Sequence, residues 1–344
     1  MASELTVALD AMGGDRGPEV VVRGAIRFLV ESPDDVSGGV SLILVGDKDI
    51  LSGLLAAGRG ARLPITIRHS SQTITMADHP AEALKSKPDS SIARTVELLR
   101  SGEAQAAISP GNTGAFMAAC LFALGRIEGV HRPAIAATFP TQGNPTVVLD
   151  VGANIGCRAE HLYQFAHMGS AYSSGVFGID SPRVALMNVG VERTKGSSES
   201  QEAYELLSRT GLNFTGNVEG DGILKGEADV VVCDGFIGNI ILKFTESIAD
   251  LIGGSLYLEM KRHWFSRAGC LLMRPAFNRL WRLLDSAEYG GAPLLGLQGV
   301  SIVAHGSSSS KAIKNAVAAA CDFHRSGVND RIETELRANA PQGG

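Results

Sequence analysis

The chain has 344 residues, of which 44% are hydrophobic and 19% are charged, and its formal net charge is −5. This apolar content is enough to build a folded core, which excludes a chain that is disordered throughout. The negative net charge argues against a general nucleic-acid binder.

Short apolar runs recur along the chain, and each is followed by a turn of Gly, Asn or Asp and then by a helical pattern. The runs do not alternate with polar residues, which is typical of strands that are covered on both faces. This order predicts an α/β fold with a mostly parallel sheet and helices on both sides. We expect the turns to share one edge of the sheet, where such folds bind ligands. The runs are 5–9, 40–45, 106–109, 147–149, 184–187, 229–233 and 301–304.

Several common kinds of site have no sequence support. The chain has no G-x-G-x-x-G after a strand, no Walker-type loop, no H-E-x-x-H and no G-x-S-x-G, so we expect no cofactor and no metal. Five scattered cysteines without a C-x-x-C spacing favour free thiols in a reducing cytoplasm. The uncharged stretches 104–125 and 289–310 contain polar turns, which argues against membrane spans. The start of the sequence does not resemble a signal peptide.

Three of the glycine-bearing turns are suited to bind an anion. The turn at 109–114 opens an apolar helix over 115–124, so free backbone N–H groups and the positive end of the helix dipole would meet an anion there. The loop at 10–15 offers a second group of N–H donors, and 234–239 repeats the arrangement. From these turns we predict substrate contacts at Gly13, Gly14, Asp15, Gly111, Thr113, Asn239 and Lys243.

Five residues in or beside these turns are candidates for catalysis. Lys195 follows the predicted strand 184–187 and is either a ligand-binding or a solvated surface lysine. His305 ends the last predicted strand and is either a phosphate donor or a core histidine. Asp10 and Asp234 could each act as a general base or order a loop. Asn112 could cap the helix that follows it or touch a ligand.

Seven motifs follow one another from about residue 5 to residue 320. They are 9–15, 111–115, 149–154, 188–196, 216–220, 230–239 and 288–296, and the series closes with His305-Gly306. Together they resemble the bacterial phosphate acyltransferases of phospholipid synthesis. The resemblance covers essentially the whole chain and adds Asn154, Asn217 and Glu219 to the predicted substrate contacts.

This resemblance implies transfer of a long-chain acyl group from acyl carrier protein to inorganic phosphate. Phosphate would attack the thioester directly, and a downstream glycerol-3-phosphate acyltransferase would use the acyl phosphate. The resemblance also implies a three-layer α/β/α fold like that of phosphotransacetylase and isocitrate-type dehydrogenases, a homodimer and peripheral attachment to the membrane. Two alternatives remain open: a phosphotransacetylase-like enzyme that uses coenzyme A thioesters, and a non-catalytic, membrane-attached scaffold.

Residues 259–285 differ from the rest of the chain. Six basic residues stand there against two acidic ones, a net charge of +4, and both tryptophans of the chain lie among them. Basic residues interleaved with large apolar ones are typical of helices that lie in the headgroup region of an anionic membrane. A dimer interface, a core helix pair or a docking surface for acyl carrier protein remain alternatives. The predicted membrane contacts are Trp264, Phe265, Leu271, Leu272 and Met273.

We therefore predict one large α/β catalytic domain over residues 1–330. An amphipathic helical hairpin would be inserted at 255–287 and protrude from it, and residues 331–344 would form a tail. The expected location is the cytoplasm, at the inner face of the membrane.

Overall fold

A central sheet organises the computed structural model, which describes residues 5–58, 60–141, 143–262, 265, 269, 272–273, 275–277 and 285–339. In this part of the chain, eleven strands join into one sheet. Most of them are short and buried on both faces, as the uninterrupted apolar runs predict. The strands are β1 (Leu5–Asp10), β2 (Val40–Gly46), β3 (Ile65–His69), β4 (Ala106–Ser109), β5 (Ala134–Phe139), β6 (Thr146–Leu149), β7 (Arg183–Met187), β8 (Asn213–Val218), β9 (Val230–Val232), β10 (Ala292–Leu295) and β11 (Val300–Val303).

Helices follow most strands, and polar caps start several of them. Asp47 and Ser90, for example, accept hydrogen bonds from N–H groups in the first turns of the helices that they precede. The described helices are α1 (Pro18–Glu31), α2 (Asp34–Ser37), α3 (Lys48–Ala57), α4 (Pro80–Ser86), α5 (Ser91–Arg100), α6 (Thr113–Leu124), α7 (Ala159–Phe177), α8 (Ser198–Leu207), α9 (Gly220–Lys225), α10 (Gly235–Arg262), α11 (Ser310–Arg325) and α12 (Val328–Ala338).

The sheet is buried on both faces. Ala106 and Ile108 of β4 pack into one apolar core, whereas Ala107 between them packs into the other. The first core also holds Phe165 of α7, and the second holds Phe116 of α6. Successive side chains of a strand point to opposite faces, so both faces are covered by helices. This confirms the predicted three-layer α/β/α architecture.

The sheet consists of two parallel groups of strands that run in opposite directions. Its strand order is β3-β2-β1-β4-β11-β10-β5-β6-β9-β7-β8. The first half, β1–β4 with β11, is parallel throughout, and so is the second half, β6–β9. Between them β10 and β5 form antiparallel pairs, which reverse the direction of the second half. The prediction of a mostly parallel sheet is confirmed.

The expectation that all turns share one edge is wrong, because of this reversal. Ala292 of β10 pairs with Val303 of β11, whereas Leu295, at the other end of β10, pairs with Ala134 of β5. The two halves are therefore offset along β10, and the carboxyl ends of each half are directed toward the side that the other half occupies. The turns approach one another from two directions instead of lining one edge.

The segment predicted as a hairpin is only partly described. Helix α10 runs without interruption from Gly235 to Arg262 and so passes through position 255. Trp264 and Leu271 lie outside the described residues, whereas the side chains of Phe265, Leu272 and Met273 are exposed. None of the helices in the described part of the chain is long and apolar enough to cross a membrane.

The predicted tail begins as a packed helix, which corrects the expectation for residues 331–338. Ile332 and Leu336 of α12 are buried four residues apart on one face. The hydroxyl of Tyr163 on α7 donates a hydrogen bond to the carbonyl of Asn339 over 2.8 Å. These contacts attach the end of α12 to the body of the protein.

Candidate active site

Asp10 anchors the glycine loop that follows β1. Its Oδ1 accepts hydrogen bonds from the N–H groups of Met12 (3.2 Å) and Gly13 (3.1 Å), and its Oδ2 accepts one from the hydroxyl of Ser109 (2.6 Å). The side chain is wholly buried. Burial raises the pKa of Asp10, although these hydrogen bonds lower it. Asp10 is therefore buried beneath the loop that it holds, and its predicted catalytic role stays a prediction.

Asp150 occupies the matching place in the second half, directly after β6. Its Oδ1 accepts from the N–H groups of Ile135, Gly152 and Ala153, at 3.0–3.2 Å. Its Oδ2 accepts from the backbone N–H and the side-chain amide of Asn154, at 2.6 and 2.9 Å. The same amide also donates to the carbonyl of Pro133 over 2.8 Å, so both of its N–H groups are used within the loop, and the substrate contact of Asn154 stays a prediction. Burial raises the pKa of Asp150.

The glycines of the first half allow its loops to touch. A Cβ atom on Gly13 would lie 2.7 Å from Cα of Gly111, so a larger residue at this position would separate the two turns. The N–H of Asp15 donates to the carbonyl of Gly306 over 2.8 Å, and the Asp15 side chain is exposed. The structure thus brings together the turns at 10–15, 109–114 and 305–306, as predicted.

Both the oxygen and the nitrogen of the Asn112 side-chain amide form hydrogen bonds within the protein. Its Oδ1 caps α6 by accepting from the N–H of Ala115 at 3.0 Å. Its Nδ2 donates to the carbonyls of Thr75 (3.2 Å) and Asp78 (3.0 Å), which ties the 75–78 loop to α6. Both side-chain donors are used, so Asn112 shapes the site without offering a donor to a substrate. Thr113 begins α6 and is partly exposed.

Asp234 organises the corresponding turn of the second half. Its Oδ2 accepts from the N–H of Cys157 at 2.7 Å, and its Oδ1 accepts from the N–H of Phe236 in the first turn of α10 at 2.8 Å. A Cβ atom on Gly238 would lie 1.9 Å from the carbonyl oxygen of Asp150. The start of α10 therefore packs directly on the turn after β6, and exposed Asn239 lies beside Gly152.

One contact joins the two halves at their carboxyl ends. Lys243, two turns into α10, places its Nζ 2.9 Å from Nε2 of His305, which follows β11. The same ammonium forms an ion pair with Glu246 at 2.9 Å, and it remains half exposed. Nδ1 of His305 lies 2.8 Å from the hydroxyl of Ser307. Both ring nitrogens are thus held, and a cation from the second half lies beside the turns of the first.

A cavity of about 330 Å³ lies on the second-half side of this contact. Three helices begin at its lining: Arg158 precedes α7, Ser197 caps α8 and Asp234 precedes α10. The N-terminal ends of three helices, where the helix dipole is positive, therefore lie at this space. Such an arrangement suits a carbonyl oxygen that becomes negative during attack.

Lys195 lies on an exposed loop beside this cavity. The side-chain amide of Asn188 donates to the Lys195 carbonyl at 3.0 Å, and that of Asn217 donates to the carbonyl of Glu192 at 2.9 Å. These two amides shape the 188–196 loop, which leaves the Lys195 side chain on the surface. Glu219 is exposed and stands before α9. The structure places Lys195, Asn217 and Glu219 in the second half. It shows no contact between these three residues and the turns at 10–15 and 109–114.

Sequence reasoning missed three supporting residues. Ser109 donates to Asp10 while it accepts from the N–H of Gly111 at 3.0 Å, Ser307 holds His305, and Glu246 pairs with Lys243. Serine in a strand end or a serine run carries no distinct signal, but Glu246 stands three residues after Lys243, a spacing that indicates a helical ion pair. Within the described ranges, no cluster of three or more His, Cys, Asp or Glu could hold a metal ion.

Comparison with known proteins agrees with this architecture. The profile of a family described as fatty acid synthesis protein matches residues 5–331. A phosphate acyltransferase of Trichlorobacter lovleyi is 45% identical over 335 residues, which cover 97% of this chain and 95% of the relative. The phosphate acyltransferase of Geotalea uraniireducens is 44% identical over 337 residues, covering 98% and 96%.

A solved structure shows the same fold. The phosphotransacetylase of Streptococcus pyogenes superposes with a TM-score of 0.62 at 18% identity, covering 92% of this chain and 93% of that protein. This likeness confirms the predicted phosphotransacetylase-like fold. The match of the family profile over nearly the whole length and the identity to full-length relatives establish the family. The chain belongs to the fatty acid synthesis protein family, in which its relatives are phosphate acyltransferases.

Proposed function

We propose that this chain transfers a long-chain acyl group from acyl carrier protein to inorganic phosphate, by direct attack of phosphate on the thioester. The contact between Lys243 and His305 carries the proposal. It joins a cation and an imidazole between the turns of one half that are predicted to bind an anion and the helix N-termini of the other. Two substrates can therefore meet between the halves.

In this mechanism the first half holds phosphate. The N–H of Gly14 and those of Thr113 and Gly114 at the start of α6 would donate to phosphate oxygens, with Lys243, held by His305, as a further donor. Phosphate dianion is already a nucleophile, so its attack needs no covalent enzyme intermediate. Asp234 would orient the start of α10, because its carboxylate accepts the N–H of Phe236 there and the N–H of Cys157 before α7.

The second half would receive the thioester. A phosphate oxygen forms the new C–O bond, the carbonyl oxygen takes up negative charge near the helix N-termini, and the C–S bond then breaks. The sulfur leaves as the thiolate of the carrier and takes a proton from water. Holding the two substrates in line supplies up to about 7–11 kcal/mol. One well-placed donor to the oxyanion adds about 2.7–4 kcal/mol.

The decisive experiment measures acyl phosphate formed from palmitoyl-[acyl carrier protein] with and without phosphate. We expect product only with phosphate and one free carrier thiol for each acyl phosphate. Phosphate-independent loss of the thioester, or no turnover, would overturn the proposal. Palmitoyl-coenzyme A in a parallel assay separates the two donors. If the protein were a scaffold, a variant without turnover would still restore growth of cells that lack this gene.

We also propose the cellular setting that the resemblance implies: a homodimer in the cytoplasm, held at the inner face of the membrane and supplying a glycerol-3-phosphate acyltransferase. Exposed Phe265, Leu272 and Met273 on the +4 segment support contact with anionic lipid. The basic side chains of the same segment would also attract an acidic carrier protein. Catalysis would reside in the predicted domain over 1–330 together with the rest of α12, which packs on it, and 255–287 would be its membrane-facing insertion.

A further inference from the structure

The cavity beside Asp234 has an apolar floor and a polar rim. Its deep walls are the buried side chains of Cys157, Leu162, Leu186 and Cys233, and partly exposed Met187 closes one side. The polar lining residues Arg158, Ser197 and Glu199 are exposed at the mouth. Its volume of about 330 Å³ is at the small end of the range for ligand sites, roughly 300–1,000 Å³.

We propose that this cavity binds the carboxyl-proximal part of the acyl chain, with Met187 and Ile237 limiting how many carbons enter. This inference rests on the proposed acyl transfer and names the place where the donor chain binds. Ile237 lies on the first turn of α10, three residues after Asp234, and its side chain is 45% exposed at the mouth. A chain inside the cavity would hold its carbonyl carbon at the rim, between the starts of α7 and α10.

The apolar floor argues for an acyl chain and against phosphate as the occupant of the cavity. The carboxylates of Glu199 and Asp234 line the mouth together with the single guanidinium of Arg158. A phosphate dianion inside the cavity would lie against this apolar floor, which offers its oxygens no hydrogen bonds. The methylene groups of an acyl chain would pack against the apolar floor, and its carbonyl oxygen would accept hydrogen bonds at the rim.

The test compares acyl-pantetheine donors from acetyl to palmitoyl at saturating phosphate. Each methylene that enters an apolar site contributes about 0.8 kcal/mol, so kcat/KM should rise about fourfold per methylene until the cavity is full. Beyond that length the curve should flatten. The Kd values of S-alkyl pantetheine thioethers, which cannot react, should show the same break in calorimetry.

Two variants should change, in opposite directions, the donor length at which kcat/KM stops rising, which is the break. Met187→Ala removes three heavy atoms from the wall, so the break should shift to donors longer by about three carbons. Ile237→Trp narrows the mouth and should lower kcat/KM at least tenfold more for decanoyl than for acetyl donors. Ile240→Trp is the matched control, because Ile240 is a similarly exposed isoleucine on the same helix that does not line the cavity. It should leave the profile unchanged.

The outcomes separate this inference from the proposed function. If the wild-type protein forms acyl phosphate but both variants lower all donors equally and leave thioether binding unchanged, the cavity does not bind the chain. If no donor yields acyl phosphate, the proposed function fails. The binding of thioethers still shows whether the cavity binds the chain. The inference is supported if Met187→Ala moves the break to longer chains both in kcat/KM and in the Kd values of the thioethers. An Ile240→Trp profile that changes like that of Ile237→Trp would assign the effect to α10 as a whole and overturn the inference.

Discussion

Nζ of Lys243 lies 2.9 Å from Nε2 of His305, and this contact spans the two oppositely directed halves of the sheet. Lys243 belongs to α10, which starts at the end of β9, whereas His305 follows β11. Each half contributes one of the two groups to this contact. A substrate anion bound near this pair would therefore depend on the relative position of both halves.

We expect Lys243→Ala and His305→Ala each to lower kcat/KM for acyl phosphate formation by about a hundredfold, since the first removes a donor that positions phosphate and the second removes the ring that holds this donor. The double variant should lose little more than the worse single one, because the two groups act through one contact. Unfolding midpoints should stay close to that of the wild type, as exposed pairs contribute little stability.

Lys225→Ala is the matched control for this pair. Lys225 is also an exposed helical lysine with an ion-paired carboxylate one turn away, Asp221 at 2.7 Å. Its loss should leave turnover unchanged. Independent, multiplicative effects of the Lys243 and His305 substitutions would contradict a shared role.

The buried Asp10 gives the protein a stability that depends on pH. Because burial raises the pKa of Asp10 above 3.8, its value when exposed, the folded state binds this proton more tightly than the unfolded chain does. The contribution of Asp10 to stability is therefore fully present below pH 3.8 and is lost as the pH rises through the raised pKa. Asp10→Asn removes this pH-dependent loss of stability, while its Oδ1 can still accept hydrogen bonds from the N–H groups of Met12 and Gly13.

Urea denaturation from pH 4.5 to 7.5 measures this effect. The stability of Asp10→Asn relative to the wild type should increase with pH, by up to about 1.4 kcal/mol per pH unit in the titrating range. Asp229→Asn is the control. Burial acts to raise the pKa of Asp229, but hydrogen bonds from Arg183 more than offset this and lower it. Asp229 stays charged over this range, so its difference from wild type should not vary with pH. A flat Asp10→Asn difference would mean that Asp10 remains charged.

The strands and most turns could be predicted because their signals are local. A run such as Val230–Val232 between glycine- and aspartate-bearing turns already indicates a buried strand. The reversal of the second half could not be predicted, because it arises where β10 and β5 insert between distant strands. More than 150 residues of chain separate the end of β5 from the start of β10, so no local sequence pattern indicates that pairing.

The candidate site shows the same division between local and distant information. Asp10 and Asn112 occupy the turns that the sequence indicates, but their roles depend on what covers them. Ser109, 99 residues away, meets Asp10, and the 75–78 loop occupies the Asn112 amide. A sequence pattern indicates where a polar group lies along the chain, whereas its remaining hydrogen-bond capacity depends on distant neighbours.

The membrane proposal predicts a specific loss of binding. Leu272 and Met273 are 84% and 54% exposed, and burying side chains of this size in lipid contributes about 1.5–3 kcal/mol each. The double variant Leu272→Glu, Met273→Glu should therefore bind vesicles of anionic lipid at least tenfold more weakly in flotation. Wild-type binding should also weaken as salt rises, because basic side chains contribute to it.

Phe122→Glu controls for the general loss of an exposed apolar residue. Phe122 lies on α6 and is 81% exposed, away from the +4 segment in sequence. Its replacement should leave flotation unchanged. Equal flotation of the double variant and the wild type would exclude this surface as the membrane contact.

The close packing of α10 on the turn after β6 predicts that Gly238 tolerates no side chain. A Cβ at this position would lie 1.9 Å from the carbonyl oxygen of Asp150, so Gly238→Ala must displace backbone. We expect a loss of about 3 kcal/mol in the free energy of unfolding. In the folded fraction turnover should fall about a hundredfold, because a shift of about 1 Å would misplace Lys243.

Gly53→Ala is the control: a Cβ at this position of α3 meets no atom within 4 Å, and the change should stabilise the protein by up to about 1 kcal/mol. Comparable stability and turnover of Gly238→Ala and the wild type would show that the start of α10 moves freely, and a rigid contact between the halves would then not explain catalysis.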